Sequence, residues 1–147
     1  PGDAFRCGEA GHMTLIPDGK PCYCGKTGCV DAYCSARLLS DLSGGRLEDF
    51  FLGLQQNNPD YRSVWDTYLK HLAVVINNLH MLLDYDIVLG GYVGSFLSPW
   101  LDTIRRLVAE RNTFEDDGSF VKLCTYQTGA AAYGAAMDVM EEFLRTV

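Results

Sequence analysis

The chain has 147 residues, 48% of them hydrophobic and 21% charged, which is enough apolar material for one globular domain with a buried core. A net charge of −7 excludes this stretch as a grip on a nucleic-acid backbone, which requires clustered Lys and Arg. No apolar run approaches the roughly 20 residues of a membrane helix and no signal peptide opens the chain, so a cytoplasmic protein without a membrane partner is expected.

In chain order, the first pattern is Gly8-Glu9-Ala10-Gly11-His12, which leads into a predicted short strand over residues 12–16. A loop over residues 17–29 follows, containing Cys22-Tyr23-Cys24-Gly25-Lys26-Thr27-Gly28-Cys29. His12, Cys22, Cys24 and Cys29 make a complete set of thiolate and imidazole ligands for a closed, tetrahedral structural zinc site. Gly25 and Gly28 let the loop turn tightly enough to aim three sulfurs at one point. The spacing is not that of a standard zinc finger, because Cys-x-Cys replaces the usual wider pair and the histidine comes first. Six cysteines would also suit the disulfide framework of a small secreted domain, but the apolar content and the tight cluster favour a reduced, metal-binding protein. Cys7, Cys34 and Cys124 are left over and read as small packing residues, with Cys7, close to the site, the expected exception.

Residues 30–42 predict a helix closed by Ser43-Gly44-Gly45, so that the metal ties a strand to a helix. A short helix over residues 47–54 and a polar loop over 55–60 come next. Val64, Trp65, Tyr68, Leu69, Leu72, Val75, Ile76, Leu79 and Leu83 then recur at helical spacing, which predicts a long, largely buried helix. Trp65 and Tyr68 belong to its core face, and His71 and His80 read as core or surface residues rather than ligands. Asp86-Ile87-Val88-Leu89-Gly90-Gly91 reads as a buried strand entering a glycine turn, after which Ser98-Pro99 caps and starts a helix to about residue 111. Gly90-Gly91 admits two readings: a turn that lets a nucleotide approach the backbone with its phosphate at the next helix N-terminus, or a plain tight turn. Residues 120–125 predict a further strand. Residues 128–144 predict a helix whose Gly129, Ala130, Ala131, Gly134, Ala135 and Ala136 permit close packing. Strands alternating with helices imply an α/β sandwich, here a single domain over residues 1–147.

Gly8-Glu9-Ala10-Gly11-His12, the Pro17-Asp18-Gly19 turn, the cysteine run and Ser35 together closely resemble the ROK family of sugar kinases and sugar-responsive repressors. Ile87-Val88-Leu89-Gly90-Gly91 and the stretch from Gly129 to Ala136 resemble that family's nucleotide-lobe turn and closing helix. The resemblance implies an α/β, actin-like (ribonuclease H-like) two-lobed ATPase, of which this chain would be the second lobe with its zinc-binding loop, the sugar and metal motif falling at residues 8–31. It implies that Glu9 and His12 face a sugar or sugar phosphate while His12 also binds zinc. Asp31 stands where the family usually has a glutamate completing the sugar clamp, a conserved charge with a shorter reach. The phosphate loop, the catalytic aspartate and, in repressors, a DNA-binding domain are expected ahead of Pro1, so no catalytic residue is assigned here and the 147 residues alone are expected to be inactive. DNA would be a partner only through that missing part, ATP a cofactor only in a kinase, and self-association is a family habit. Tyr92, at a position where many family kinases carry a third glycine, inclines the reading towards a transcriptional regulator, with an ATP-dependent sugar kinase as the alternative.

Overall fold

A computed structural model describes residues 8–146, which divide between Asn78 and Leu79 into two compact units. The order of elements is a 3-10 turn at Ala10–His12, helices α1 (Asp31–Cys34), α2 (Ala36–Asp41), α3 (Leu47–Gln55) and α4 (Pro59–Leu83), strand β1 (Ile87–Leu89), α5 (Gly91–Gly94), a 3-10 turn at Ser98–Trp100, α6 (Leu101–Ala109), strand β2 (Val121–Leu123), a 3-10 turn at Gln127–Gly129, and α7 (Ala130–Thr146). Cys7 lies outside the described residues.

The first unit is built on aromatic packing between α3 and α4. Trp65 and Phe50 are fully buried, Trp65 stacks on Tyr68 at 5.1 Å between centroids, and Phe50 stacks on Tyr61 at 4.9 Å. Each such pair adds about 0.5–1.5 kcal/mol to the burial of the rings themselves. Helix α4 starts where local chemistry tells it to: Asn58 Oδ1 accepts the amides of Asp60 (3.0 Å) and Tyr61 (3.3 Å), and Pro59 fills the first helical position. The core face drawn by periodicity holds in the middle of the helix, with Trp65, Tyr68, Leu69, Val75 and Ile76 buried and Ala73 among them, but Val64, Leu72 and Leu79 are only half-buried and Leu83, at the helix end, is exposed.

Two expected elements of this unit differ. The strand expected at residues 12–16 is a 3-10 turn followed by a single antiparallel bridge between Thr14 and Cys29, because Leu15 and Ile16 both send their amides to one carbonyl, that of Gly28. The helix expected over residues 30–42 is two helices broken at Ser35, which is extended (φ −83°, ψ 154°) and caps α2 by accepting the Leu38 amide at 3.3 Å. The Tyr68 hydroxyl donates to the Cys34 carbonyl at 2.8 Å, which satisfies a backbone acceptor that the break releases from the helix ladder. Gly44 and Gly45, both at positive φ, end this region as their sequence suggests.

In the second unit β1 and β2 pair in parallel with Ile87 opposite Val121 and Leu89 opposite Leu123, the crossover between them running through α5 and α6. Ile104, Leu107, Val108, Phe120 and Val121 form its core, and the Arg105 guanidinium donates twice to the Val121 carbonyl (3.2 and 2.9 Å). His80 stacks flat on Phe120 at 3.6 Å and its Nδ1 lies 2.9 Å from the Tyr85 carbonyl, so it is a packing residue. His71 likewise packs edge-on against Tyr33. The expected buried strand at residues 86–91 is three residues long, and Val88 is 59% exposed. Ser98 is not the cap: it is the first residue of a 3-10 turn whose N-cap position is held by Leu97, with no side-chain capping bond, and Pro99 lies near its start. The small residues of α7 do not serve close packing within the described residues: the helix has no buried residue, and nothing lies within 4 Å of a Cβ built on Gly134. No helix among the described residues is long and apolar enough to cross a membrane.

Candidate metal centre and the polar cluster beside it

The loop between Met13 and Val30 is closed by its own backbone. Val30 donates to the Met13 carbonyl (2.9 Å), Leu15 to Gly28 (2.7 Å), Gly28 to Lys20 (2.8 Å) and Cys22 to Lys26 (2.8 Å), with a second antiparallel bridge between Pro21 and Thr27. Gly28, at φ 80°, is forced by its surroundings: a Cβ there would stand 1.9 Å from the Ile16 carbonyl oxygen. Gly25, at φ 84°, makes the tight turn between Cys24 and Lys26 in open space.

This path brings together the four residues singled out by their spacing. One ligand atom from each of His12, Cys22, Cys24 and Cys29 lies within 4.8 Å of all the others. Cys24 Sγ is 3.7 Å from Cys29 Sγ, and His12 Nδ1 is 3.9 Å from Cys22 Sγ. Metal–sulfur bonds of about 2.3 Å in tetrahedral geometry place sulfurs about 3.8 Å apart, so the two short edges fit a tetrahedral metal. Cys29 is 2% exposed and Cys22 9%, while Cys24 sits at the surface. Loss of water around it pushes the Cys29 thiol up to about 11, whereas a hydrogen bond from the Lys26 backbone holds the Cys24 thiol below its ordinary value. Cys34, on α1, is not part of the set: burial, helped by the charge of Asp31, pushes its thiol up to about 12.

With Nδ1 of His12 turned to the sulfurs, Nε2 faces outward and lies 3.3 Å from the Tyr23 hydroxyl. That hydroxyl donates to Asp31 Oδ2 at 2.9 Å. The other Asp31 oxygen lies over Gly11, where a Cβ would approach it to 2.6 Å. Hydrogen bonding to Asp31 raises the Tyr23 phenol above its ordinary value, and the charge of Glu9 contributes in the same direction, which puts Glu9 within electrostatic reach of the cluster. The structure thus brings His12 and Asp31 to one exposed point beside the metal-type ligands, with Glu9 at its edge as the exposed residue that opens the Ala10–His12 turn. A hollow of about 580 Å³ lined by Cys22, Tyr23, Asp31, Ser35 and Arg37 adjoins it. Tyr23 and Gly11 stand inside the two motifs, but spacing alone gives neither a role. Tyr23 stood among the cysteines as an apparent spacer, and only its hydroxyl's position gives it a role.

Gly90 and Gly91 form the expected turn after β1, with Gly91 at φ 71°, just beyond the last rung of the β1–β2 ladder, where the Cys124 amide donates to the Leu89 carbonyl at 2.8 Å. The helix that follows is one turn long, so its dipole is weak, and Tyr92 is 73% exposed on it.

The ROK family model matches residues 2–142, nearly the whole chain. The chain belongs to the ROK family. An N-acetylmannosamine kinase of Escherichia coli O1:K1 / APEC is 30% identical over 144 residues, which are 93% of this chain and 48% of that protein. A putative xylose repressor of Caldicellulosiruptor sp. (strain Rt8B.4) is 29% identical over 125 residues, 71% of this chain and 31% of that one. Among solved structures, the ROK hexokinase of Thermus thermophilus matches with a TM-score of 0.58 and 25% identity, over 71% of this chain and 38% of that one. The ROK glucokinase of Streptomyces griseus, solved in complex with glucose and AMPPNP, matches in fold with a TM-score of 0.65 at 20% identity, over 83% of this chain and 47% of that one. This ROK chain therefore has the actin-like ATPase fold of its structural neighbours and spans about half the length, or less, of the relatives it matches.

Proposed function

We propose that this chain is the sugar-binding C-terminal lobe of a ROK protein, a single actin-like lobe whose clamp is Glu9, His12 and Asp31, held in place by zinc on His12, Cys22, Cys24 and Cys29. The convergence of those four ligand atoms within 4.8 Å, immediately behind the imidazole and carboxylate of the clamp, is the observation that carries this reading. Zinc with four protein ligands has no open position, so its contribution is architectural: it closes the loop and fixes the ring of His12. The ring's remaining proton then sits on Nε2, a donor to a sugar hydroxyl, while the carboxylates of Glu9 and Asp31 accept from neighbouring hydroxyls.

We infer further that the whole protein is a cytoplasmic, self-associating transcriptional regulator that senses the sugar through this lobe and reaches DNA through another domain. Tyr92 supports this, because its ring follows Gly90 and Gly91 where a kinase of this family is expected to leave space for the purine. The kinase reading, with ATP as cosubstrate near Gly90 and Gly91, is supported by the 30% identity to an N-acetylmannosamine kinase. Titration of the full-length protein with D-glucose, N-acetylmannosamine and D-xylose, with and without ATP, separates them. Binding without phosphorylation is the expected result, and sugar-phosphate formation would make the protein a kinase. Binding unchanged by Asp31→Ala, where about a tenfold loss is expected from removal of a charged acceptor, would overturn the clamp itself.

A further inference from the structure

The Tyr23 hydroxyl occupies the point at which the clamp would receive a ligand. It touches both His12 Nε2, at 3.3 Å, and Asp31 Oδ2, at 2.9 Å, yet the side chain itself is 76% exposed. Its ring meets that of His12 edge-on at 5.2 Å and is not among the buried core residues. Nothing in the packing requires the hydroxyl to be where it is; the polar partners hold it there.

Donor and acceptor roles follow from the metal-type ligand set. With the proposed zinc on Nδ1 of His12, which faces the sulfurs, Nε2 carries the proton and donates, while Asp31 accepts. Whatever sits between them must accept from one side and donate to the other. A hydroxyl group does both. A phosphate oxygen accepts but does not donate when ionised, and meets the charges of Asp31 and Glu9; a protonated amine donates but does not accept.

We propose that Tyr23 is an affinity- and specificity-setting residue of the sugar clamp, its hydroxyl standing in for one hydroxyl of a neutral sugar and leaving when that sugar binds. This rests on the clamp reading given above. Displacement exchanges one hydroxyl for another at the same two partners, so the interaction gained by the sugar is offset by the one Tyr23 gives up. The side chain has open solvent to move into, and its departure leaves the cysteine loop's backbone hydrogen bonds intact because none of them involves the side chain.

The test is a calorimetric titration of the full-length, zinc-replete protein with D-glucose and N-acetylmannosamine, comparing wild type, Tyr23→Phe, Tyr23→Ala and Asp31→Ala, with the zinc content of each measured alongside. Both Tyr23 variants are expected to bind at least one of these sugars about three- to tenfold more tightly than wild type, the range a single exposed hydrogen bond to a charged acceptor can shift, with zinc unchanged. Unchanged or weaker binding in both Tyr23 variants, while Asp31→Ala loses binding, would overturn the role of Tyr23 and leave the clamp standing. Binding that Asp31→Ala does not alter, or no binding of either sugar by any of the four proteins, would overturn the clamp and this inference together. Zinc lost from Tyr23→Phe would also overturn it, by showing that the ring supports the metal loop instead.

Discussion

The cysteine loop and the glycine turn after β1 both bend at glycines of left-handed φ, yet they differ in what obliges them to do so. At Gly28 a Cβ would stand 1.9 Å from the Ile16 carbonyl oxygen, and the loop it closes delivers four ligand atoms to one place. At Gly91 no atom lies within 4 Å of a Cβ, and the turn leads into a helix of one turn. Left-handed backbone alone is therefore weak evidence for a site. Glycine becomes informative when a neighbouring backbone atom forbids any side chain and when chemically matched groups converge behind it.

Metal removal should sharpen this contrast most. A structural zinc contributes its binding free energy to folding, about 10 kcal/mol or more in small zinc-dependent folds. Chelation is expected to abolish hydrogen-exchange protection at the amides of Leu15, Gly28 and Val30, which bond across the loop, while those of Ile87 and Cys124, which bond to the Phe120 and Leu89 carbonyls, keep theirs. Equal loss in both regions would show that the loop has no separate dependence on metal. Because the ligands must be deprotonated, zinc affinity should fall about tenfold per pH unit for each proton displaced as the solution is acidified.

The next effect belongs to the glycines themselves. Gly28→Ala combines an unfavourable φ, about 1–2 kcal/mol, with a displaced carbonyl, and should destabilise by about 3–5 kcal/mol in denaturant titration with loss of zinc. Gly91→Ala carries only the backbone cost, about 1 kcal/mol. Similar losses at the two positions would erase the distinction drawn between them.

The convergence of His12, Cys22, Cys24 and Cys29 was legible because coordination chemistry restricts such sets: four soft or borderline donors within 18 residues have few other uses, and two glycines inside the cysteine run supply the bend. The face of α4 was legible for an equally simple reason, since a period of 3.6 sorts Trp65, Tyr68, Leu69 and Ile76 onto one side. What escaped was set by single hydrogen bonds that have no period. Ser35 looks like any helical serine until it accepts the Leu38 amide and breaks the chain into α1 and α2. Residues 12–16 alternate as a strand would, but Leu15 and Ile16 share the one Gly28 carbonyl instead of pairing residue by residue. Tyr23 had no spacing rule to mark it, because its partners His12 and Asp31 lie 11 and 8 residues away on different segments.

The smallest effect distinguishes a ligand cysteine from a packing one. Cys34 lies three residues beyond Asp31, close to the ligand set in sequence, but burial first and the Asp31 carboxylate second push its thiol up to about 12 from an ordinary value of 9.0. A thiol held protonated by the fold stabilises the folded state fully below the ordinary value and loses that contribution as pH rises towards the raised one. Between pH 9 and 11 the protein should therefore lose about 1 kcal/mol of stability per pH unit on this account, and Cys34→Ala should flatten that slope while leaving zinc content at the wild-type level. In chelated protein at pH 8, Cys24, whose thiol the Lys26 backbone hydrogen bond lowers, should react with iodoacetamide before Cys34 does. Faster labelling of Cys34 would mean that it is exposed in the metal-free state, and a drop in zinc on its replacement would move it from its half-buried place on α1 into the metal centre.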